Sequence, residues 1–145
     1  MDEMARIAQL NMQGFHCSQI LMILGLERLG KSNPDLVRAM SGLAGGMGFC
    51  GKTCGTLTGA VCLLGLFAGR GDVEERETRH LNIMIEKLLD WFEERFGKEY
   101  GGTECSLILN NDPWNRITRC PSLVTETYMK SIELLEDAGF LPSGE

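Results

Sequence analysis

Ser41-Gly42-Leu43-Ala44-Gly45-Gly46-Met47-Gly48-Phe49-Cys50-Gly51-Lys52-Thr53-Cys54-Gly55-Thr56-Leu57-Thr58-Gly59 is the stretch on which the fold turns. It holds seven glycines and two cysteines and runs straight into an apolar segment that lasts to Ala68. Glycine loses more backbone entropy on ordering than any other residue, so this density is unfavourable in a plain connector. It fits a loop that must take positive φ or let backbone approach something closely. The segment after it, Thr56 to Ala68, is apolar on all sides and reads as a buried central helix. Gly55 and Gly59 lie four apart on one face of that helix and leave a groove for another backbone.

Outward from this helix the pattern is helical throughout. Met4, Ile7, Ala8 and Met12 form a stripe over residues 3–13, ended by Gly14. A second helix runs from about Cys17 to Leu29, and Asn33-Pro34-Asp35 opens a third that dissolves into the glycine loop. Asp72-Val73-Glu74-Glu75 has the form of a capping box, predicting the longest helix from there to Phe96-Gly97. Residues 97–121 read as the least regular part, with one helical turn from Cys105 to Leu109. The last helix is expected to begin after Cys120, with Pro121 at its first position, and to end near Ala138. No run alternates long enough for a strand. The sequence therefore predicts an all-α single domain over residues 1–145, a bundle of about six helices.

Composition removes several function classes. A net charge of −6 with no basic cluster argues against nucleic acid and against an anionic membrane surface. The acidic start, Met1-Asp2-Glu3, is unlike a signal peptide, and the apolar run is too short to span a bilayer, so no membrane insertion is expected. The reading is a cytoplasmic protein, with a homodimer and the identity of any redox partner left open. No nucleophile–base motif is present, and nothing beyond the cysteines marks an enzyme. The string Gly46-Met47-Gly48-Phe49-Cys50-Gly51-Lys52-Thr53 matches the phosphate-loop pattern letter for letter. Its context argues against that role, because a helix, not a strand, precedes it.

Six cysteines then need explaining: Cys17, Cys50, Cys54, Cys62, Cys105 and Cys120. In a reducing compartment the choices are metal ligands, redox thiols and buried thiols. No two form a C-x-x-C pair. Cys62, inside the apolar run, reads as a core hydrophobe. Cys17, Cys54 and Cys120 are each expected at a helix start, where the unpaired N–H groups and the dipole favour a thiolate. Four thiolates at one point need a cation between them. Their wide spacing, 37, 51 and 15 positions, fits a centre assembled by the fold better than a zinc site built from close pairs.

Gly14-Phe15-His16-Cys17, Gly45-Gly46-Met47-Gly48, Cys54-Gly55-Thr56-Leu57-Thr58-Gly59-Ala60 and the later Cys105 and Cys120 resemble the C_GCAxxG_C_C family of redox-active proteins over nearly the whole chain. The central C-G-A-x-x-G of that family appears here with Thr56 in place of Ala. The resemblance assigns the four hallmark positions to Cys17, Cys54, Cys105 and Cys120. Related domains are joined to haem modules in split-Soret cytochromes, where the cysteines hold a two-iron cluster; the resemblance implies a redox role, and the first reading of it is an all-cysteine iron–sulfur site of the [2Fe–2S] type, for electron transfer or redox sensing. Two other readings stand beside it. One is a metal-free thiol–disulfide protein using a low-pKa Cys54 with Cys50 or Cys17. The other is a structural helical domain, with zinc or no metal, acting through protein contacts. Cys50, outside the four-cysteine pattern, is a resolving thiol, a substitute ligand or an incidental loop residue.

Overall fold

The computed structural model describes residues 2–142, so the ends of the expected 1–145 domain lie outside the described residues. It is all-α: α1 (Glu3–Met12), α2 (Cys17–Arg28), α3 (Pro34–Met40), α4 (Gly55–Ala68), α5 (Arg79–Phe92), α6 (Lys98–Tyr100), α7 (Cys105–Leu109) and α8 (Trp114–Asp137). A π-helical turn, Glu93–Gly97, joins α5 to α6 without a break, which leaves seven helical rods among the described residues. No strand forms there; the one extended pairing is an isolated bridge between Thr53 and Glu104.

α4 is the axis of the molecule. Leu57, Ala60, Leu63 and Leu64 are at most 3% exposed, and the helix packs on α2, α5 and α8 at once. Its closest approach is to α2. A Cβ at Gly59 would lie 2.9 Å from the Ser18 Cα and 3.2 Å from the Ser18 carbonyl oxygen, so only glycine fits. The groove expected from Gly55 and Gly59 is therefore filled by the first turn of α2. Ser18 is fully buried in that contact and donates its hydroxyl to the Met40 carbonyl at 2.8 Å, which ties α3 to the same crossing. A buried hydroxyl needs such a partner.

Two helix starts differ from the sequence reading. The acidic box at Asp72 does not open α5. Asp72 accepts from Glu74 N–H and Glu75 accepts from Gly71 N–H, so both side chains close a local turn. The helix begins only at Arg79, seven residues later, because the hydrophobic stripe starts at Leu81 and nothing apolar anchors residues 72–78 to the core. At the other end, α8 begins at Trp114 and not after Cys120. Asp112 accepts from the Trp114 N–H at 3.0 Å, and Pro121 sits inside the helix. A proline there removes one backbone bond, a cost that the long buried face of Leu123, Val124, Tyr128 and Leu135 outweighs. α8, at 24 residues, is the longest helix, not α5.

Cys62 also lies elsewhere than expected. It is half-buried against a small second cluster of Met22, Leu26 and Met40 under α3, not in the main core.

Candidate functional site

The glycine loop has a backbone that few sequences can adopt. Gly45, Gly46, Met47, Gly48 and Phe49 follow one another at φ of 65°, 77°, 66°, 58° and 60°, a left-handed turn of five residues. Left-handed residues normally occur singly, because a Cβ crowds the next carbonyl. The turn survives because its hydrogen bonds close on themselves: Met47 N–H donates to Leu43, Gly48 to Gly42, Phe49 to Ala44, Gly51 to Gly45 and Lys52 to Gly46, all at 2.9–3.1 Å. A Cβ at Gly46 would meet the Lys52 nitrogen at 2.4 Å, so the loop is packed backbone on backbone.

This closure decides the phosphate-loop question. With the Cys50 N–H donating to Met47, every N–H from residue 47 to residue 52 is taken by a loop carbonyl. A phosphate cradle needs those groups free. By contrast Gly45 and Gly46, both buried, donate to no acceptor among the described residues. Two adjacent unpaired N–H groups at positive φ form a small anion-favouring concavity.

The loop ends by fixing two cysteines together. Cys54 N–H donates to the Thr103 carbonyl at 2.9 Å, and Cys105 N–H donates to the Lys52 carbonyl at 2.7 Å, on either side of the Thr53–Glu104 bridge. A two-residue pairing of this kind carries no hydrophobic pattern, so sequence reading missed it. It brings the start of α7 against the start of α4. Cys54 is the residue just before α4, and Cys105 is the first residue of α7, as the sequence predicts.

Cys17, the first residue of α2, is the hub. Its sulfur lies against Gly55, where a Cβ would come within 3.0 Å of it. Ionisation at Cys17 would oppose ionisation at each of the other three hallmark thiols. Cys54 is pushed up to about 12, first by burial and then by Cys17, while the N–H groups of Thr56 and Leu57 pull it back. Cys120 is pushed up to about 11 by burial, then by Cys17. Cys105 is raised by burial, lowered by Arg116 and raised again by Cys17. The low-pKa Cys54 expected at a helix start is thus overturned: desolvation at a residue 6% exposed outweighs the helix terminus. Cys120, seven residues into α8, receives no N-terminal help at all.

Among the described residues no three Cys, His, Asp or Glu side chains are close enough to hold a single metal ion. The six cysteines are all free. Two cavities flank the group. One, of about 560 Å³, reaches Cys17 and Cys120; the other, of about 380 Å³, reaches Cys50 and Cys105. Gly45 and Arg116 border both. Arg116, which belongs to no sequence motif, stands between them. Its guanidinium stands 5.3 Å from the Phe49 ring centre, and Phe49 meets His16 edge-on at 5.3 Å. Cys50 is exposed on the loop, its sulfur 3.8 Å from the Gly48 carbonyl.

No curated protein and no solved structure matches the chain. The sequence model of the C_GCAxxG_C_C family, described as "Putative redox-active protein", matches residues 15–134. That span begins two residues before Cys17 and takes in the glycine loop and all four hallmark cysteines, and the chain belongs to the C_GCAxxG_C_C family.

Proposed function

We propose that this protein works in electron transfer or redox sensing, and that Cys17, Cys54, Cys105 and Cys120 together hold one redox centre, a [2Fe–2S] cluster. One observation carries the reading: the Cys17 sulfur lies against Gly55 next to Cys54, Cys17 shares a cavity with Cys120, and a backbone bridge holds Cys105 beside Cys54, so thiols from four separate segments are drawn to one end of α4. Burial pushes the Cys54, Cys105 and Cys120 thiols up, which makes them poor nucleophiles and poor redox thiols on their own, whereas metal binding removes their protons and makes burial tolerable.

The residues fit such a group. The donor set is all thiol, as iron–sulfur clusters prefer. Gly55 leaves the space beside the Cys17 sulfur that a Cβ would fill. The unpaired N–H groups of Gly45 and Gly46 suit an anionic, sulfide-rich occupant, and Arg116 offsets part of its negative charge. When bound, the cluster supplies reversible one-electron oxidation and reduction. The chain's own part is to hold the four sulfurs, exclude water with α4 and α8, and bias the charge with Arg116. A single zinc ion has less support, since no three ligating side chains stand together around one point. A metal-free Cys50–Cys54 couple has less support too, because Cys54 is buried with a pKa near 12.

The test is anaerobic purification of the full chain with iron and sulfide counted and the visible and electron paramagnetic resonance spectra recorded. Two irons and two sulfides per chain are expected, lost on serine substitution at any of the four cysteines and kept in Cys62→Ser. A colourless, iron-free protein with zinc, or with none, overturns the cluster.

A further inference from the structure

The larger cavity does more than border the cysteines. Its volume of about 560 Å³ lies within the usual range for small-molecule pockets, roughly 300–1,000 Å³. Cys54 and Cys105 are buried at 6% and 8% exposure, and this cavity is the one that reaches Cys17 and Cys120, the smaller one reaching Cys105. Its walls are apolar, from α1, α2 and α8. Met4, Met12 and Ile117 on its margin are 65%, 87% and 63% exposed, an uncommon loss of apolar surface to water at one place. No Asp or Glu lines it.

We propose that this cavity binds a flat, apolar ring compound bearing ring oxygens, of the quinone class, against Cys17 and Cys120. The chemistry selects that class by elimination and by fit. A nucleotide or other phosphate-bearing cofactor needs several cations or free N–H groups. Here Arg116 is the one Lys or Arg among the described lining residues, and of the two free loop N–H groups only that of Gly45 belongs to a lining residue, those of residues 47–52 being spent. A ring of about ten carbons with two oxygens needs the opposite: apolar walls, adaptable methionines, and one or two donors at an edge. Arg116 and Asn11 supply those donors from opposite sides, α8 and α1. Binding at Cys17 and Cys120 places the ring beside the redox centre, so the inference rests on the reading of the four cysteines as that centre. The ligand keeps all its bonds and electrons on binding.

The experiment is isothermal titration calorimetry under argon, with the full chain in its oxidised state. The probe is tetramethylbenzoquinone, whose fully substituted ring offers the thiols no open position to attack. One molecule per chain is expected to bind. Arg116→Gln should weaken binding about tenfold, the size of one lost charged hydrogen bond. Ala8→Trp should abolish it, because Ala8 is an exposed residue on the cavity wall and the indole fills the space without touching the core. Thermal melts of both variants confirm that they fold. Absence of binding to the parent overturns the proposal, as does undiminished binding to Ala8→Trp. Equal, competing binding of decanoate also overturns it, making the cavity a site for apolar acids. The iron and sulfide count on the same samples separates the two readings. Quinone binding without iron leaves the cavity standing and sinks the cluster, and iron without binding does the reverse.

Discussion

On the side of Cys17 and Cys54, the proposed centre is framed by glycine. Gly55 and Gly59 let α2 and α4 cross with backbone nearly in contact, so the two sulfurs are fixed by helices that cannot slide. On the side of Cys105 and Cys120, it is built by pairing and burial instead. A two-bond backbone bridge holds Cys105, and Cys120 rides in the middle of α8, next to a proline. The first wall is rigid because sterics leave no alternative. The second depends on the loop from Gly101 to Pro113 keeping its place, and α7 is only five residues long. The difference teaches that the proposed redox site would combine a wall that is part of the core with a wall that is docked onto it. Substitutions should therefore cost stability on the first and site integrity on the second.

The largest effect expected is on the glycine wall. Gly59→Leu forces a branched side chain into the Ser18 backbone, already 2.9 Å from a bare Cβ. Overpacking of this kind costs about 3 kcal/mol or more where the obstruction is main chain. Thermal melts of variant and parent read it directly. An unchanged midpoint would show that α2 and α4 slide freely, and the contrast between the walls would disappear.

Next comes a change that separates site from fold. Gly55→Ala adds one methyl within 3.0 Å of the Cys17 sulfur and 2.9 Å of the Leu43 carbonyl oxygen. A loss of about 1–3 kcal/mol is expected from the strain, together with a fall in bound iron larger than that loss explains, since the hub sulfur is displaced. Retention of full iron content at reduced stability would mean that Cys17 does not need its place beside α4.

The same two walls show what the sequence could and could not reveal. The buried α4, the Gly59 contact and the helix starts at Cys17, Cys54 and Cys105 were legible because each leaves a local trace: an apolar run, glycines four apart, a break before a stripe. The start of α8 and the bridge at Thr53–Glu104 were not. Cys120-Pro121 looks like a helix entry, and only the tertiary burial of Leu123 to Leu135 lets a helix run through it from Trp114. The acidic box at Asp72 has the right letters with nothing apolar behind it, so its caps close a turn. The high pKa of Cys54 was hidden for a related reason: a helix terminus is visible in sequence, whereas desolvation belongs to the packed fold.

That desolvation sharpens the comparison through pH. Cys54 titrates near 12 in the folded chain against an ordinary 9.0, so the folded state holds its proton more tightly than the unfolded state does. For such a group the stability contribution is complete below pH 9 and drains away as pH rises towards 12. The slope is at most about 1.4 kcal/mol per pH unit for one thiol. In metal-free protein, Cys54→Ser should flatten the fall in stability between pH 9 and pH 11 relative to the parent. Denaturant melts at each pH measure it. Parallel curves would mean that Cys54 is hydrated and that this wall is not part of the core.

The smallest effect is expected at Cys50, which belongs to neither wall. It follows the left-handed turn, exposed, with its sulfur 3.8 Å from the Gly48 carbonyl oxygen. Cys50→Ser therefore removes no buried contact, and an exposed substitution of this kind shifts stability by about 0.5 kcal/mol or less. Iron, sulfide and the visible spectrum should match the parent, because the four hallmark thiols are intact. The same variant presses hardest on the competing reading: a Cys50–Cys54 dithiol would need both sulfurs, and its loss would abolish reversible oxidation by a mild disulfide reagent. Mass spectrometry after such treatment distinguishes the two. If the parent forms a Cys50–Cys54 bond and cycles through it while the variant does not, the chemistry lives in the exposed loop. If both proteins behave alike, it lives between the walls, around Cys17.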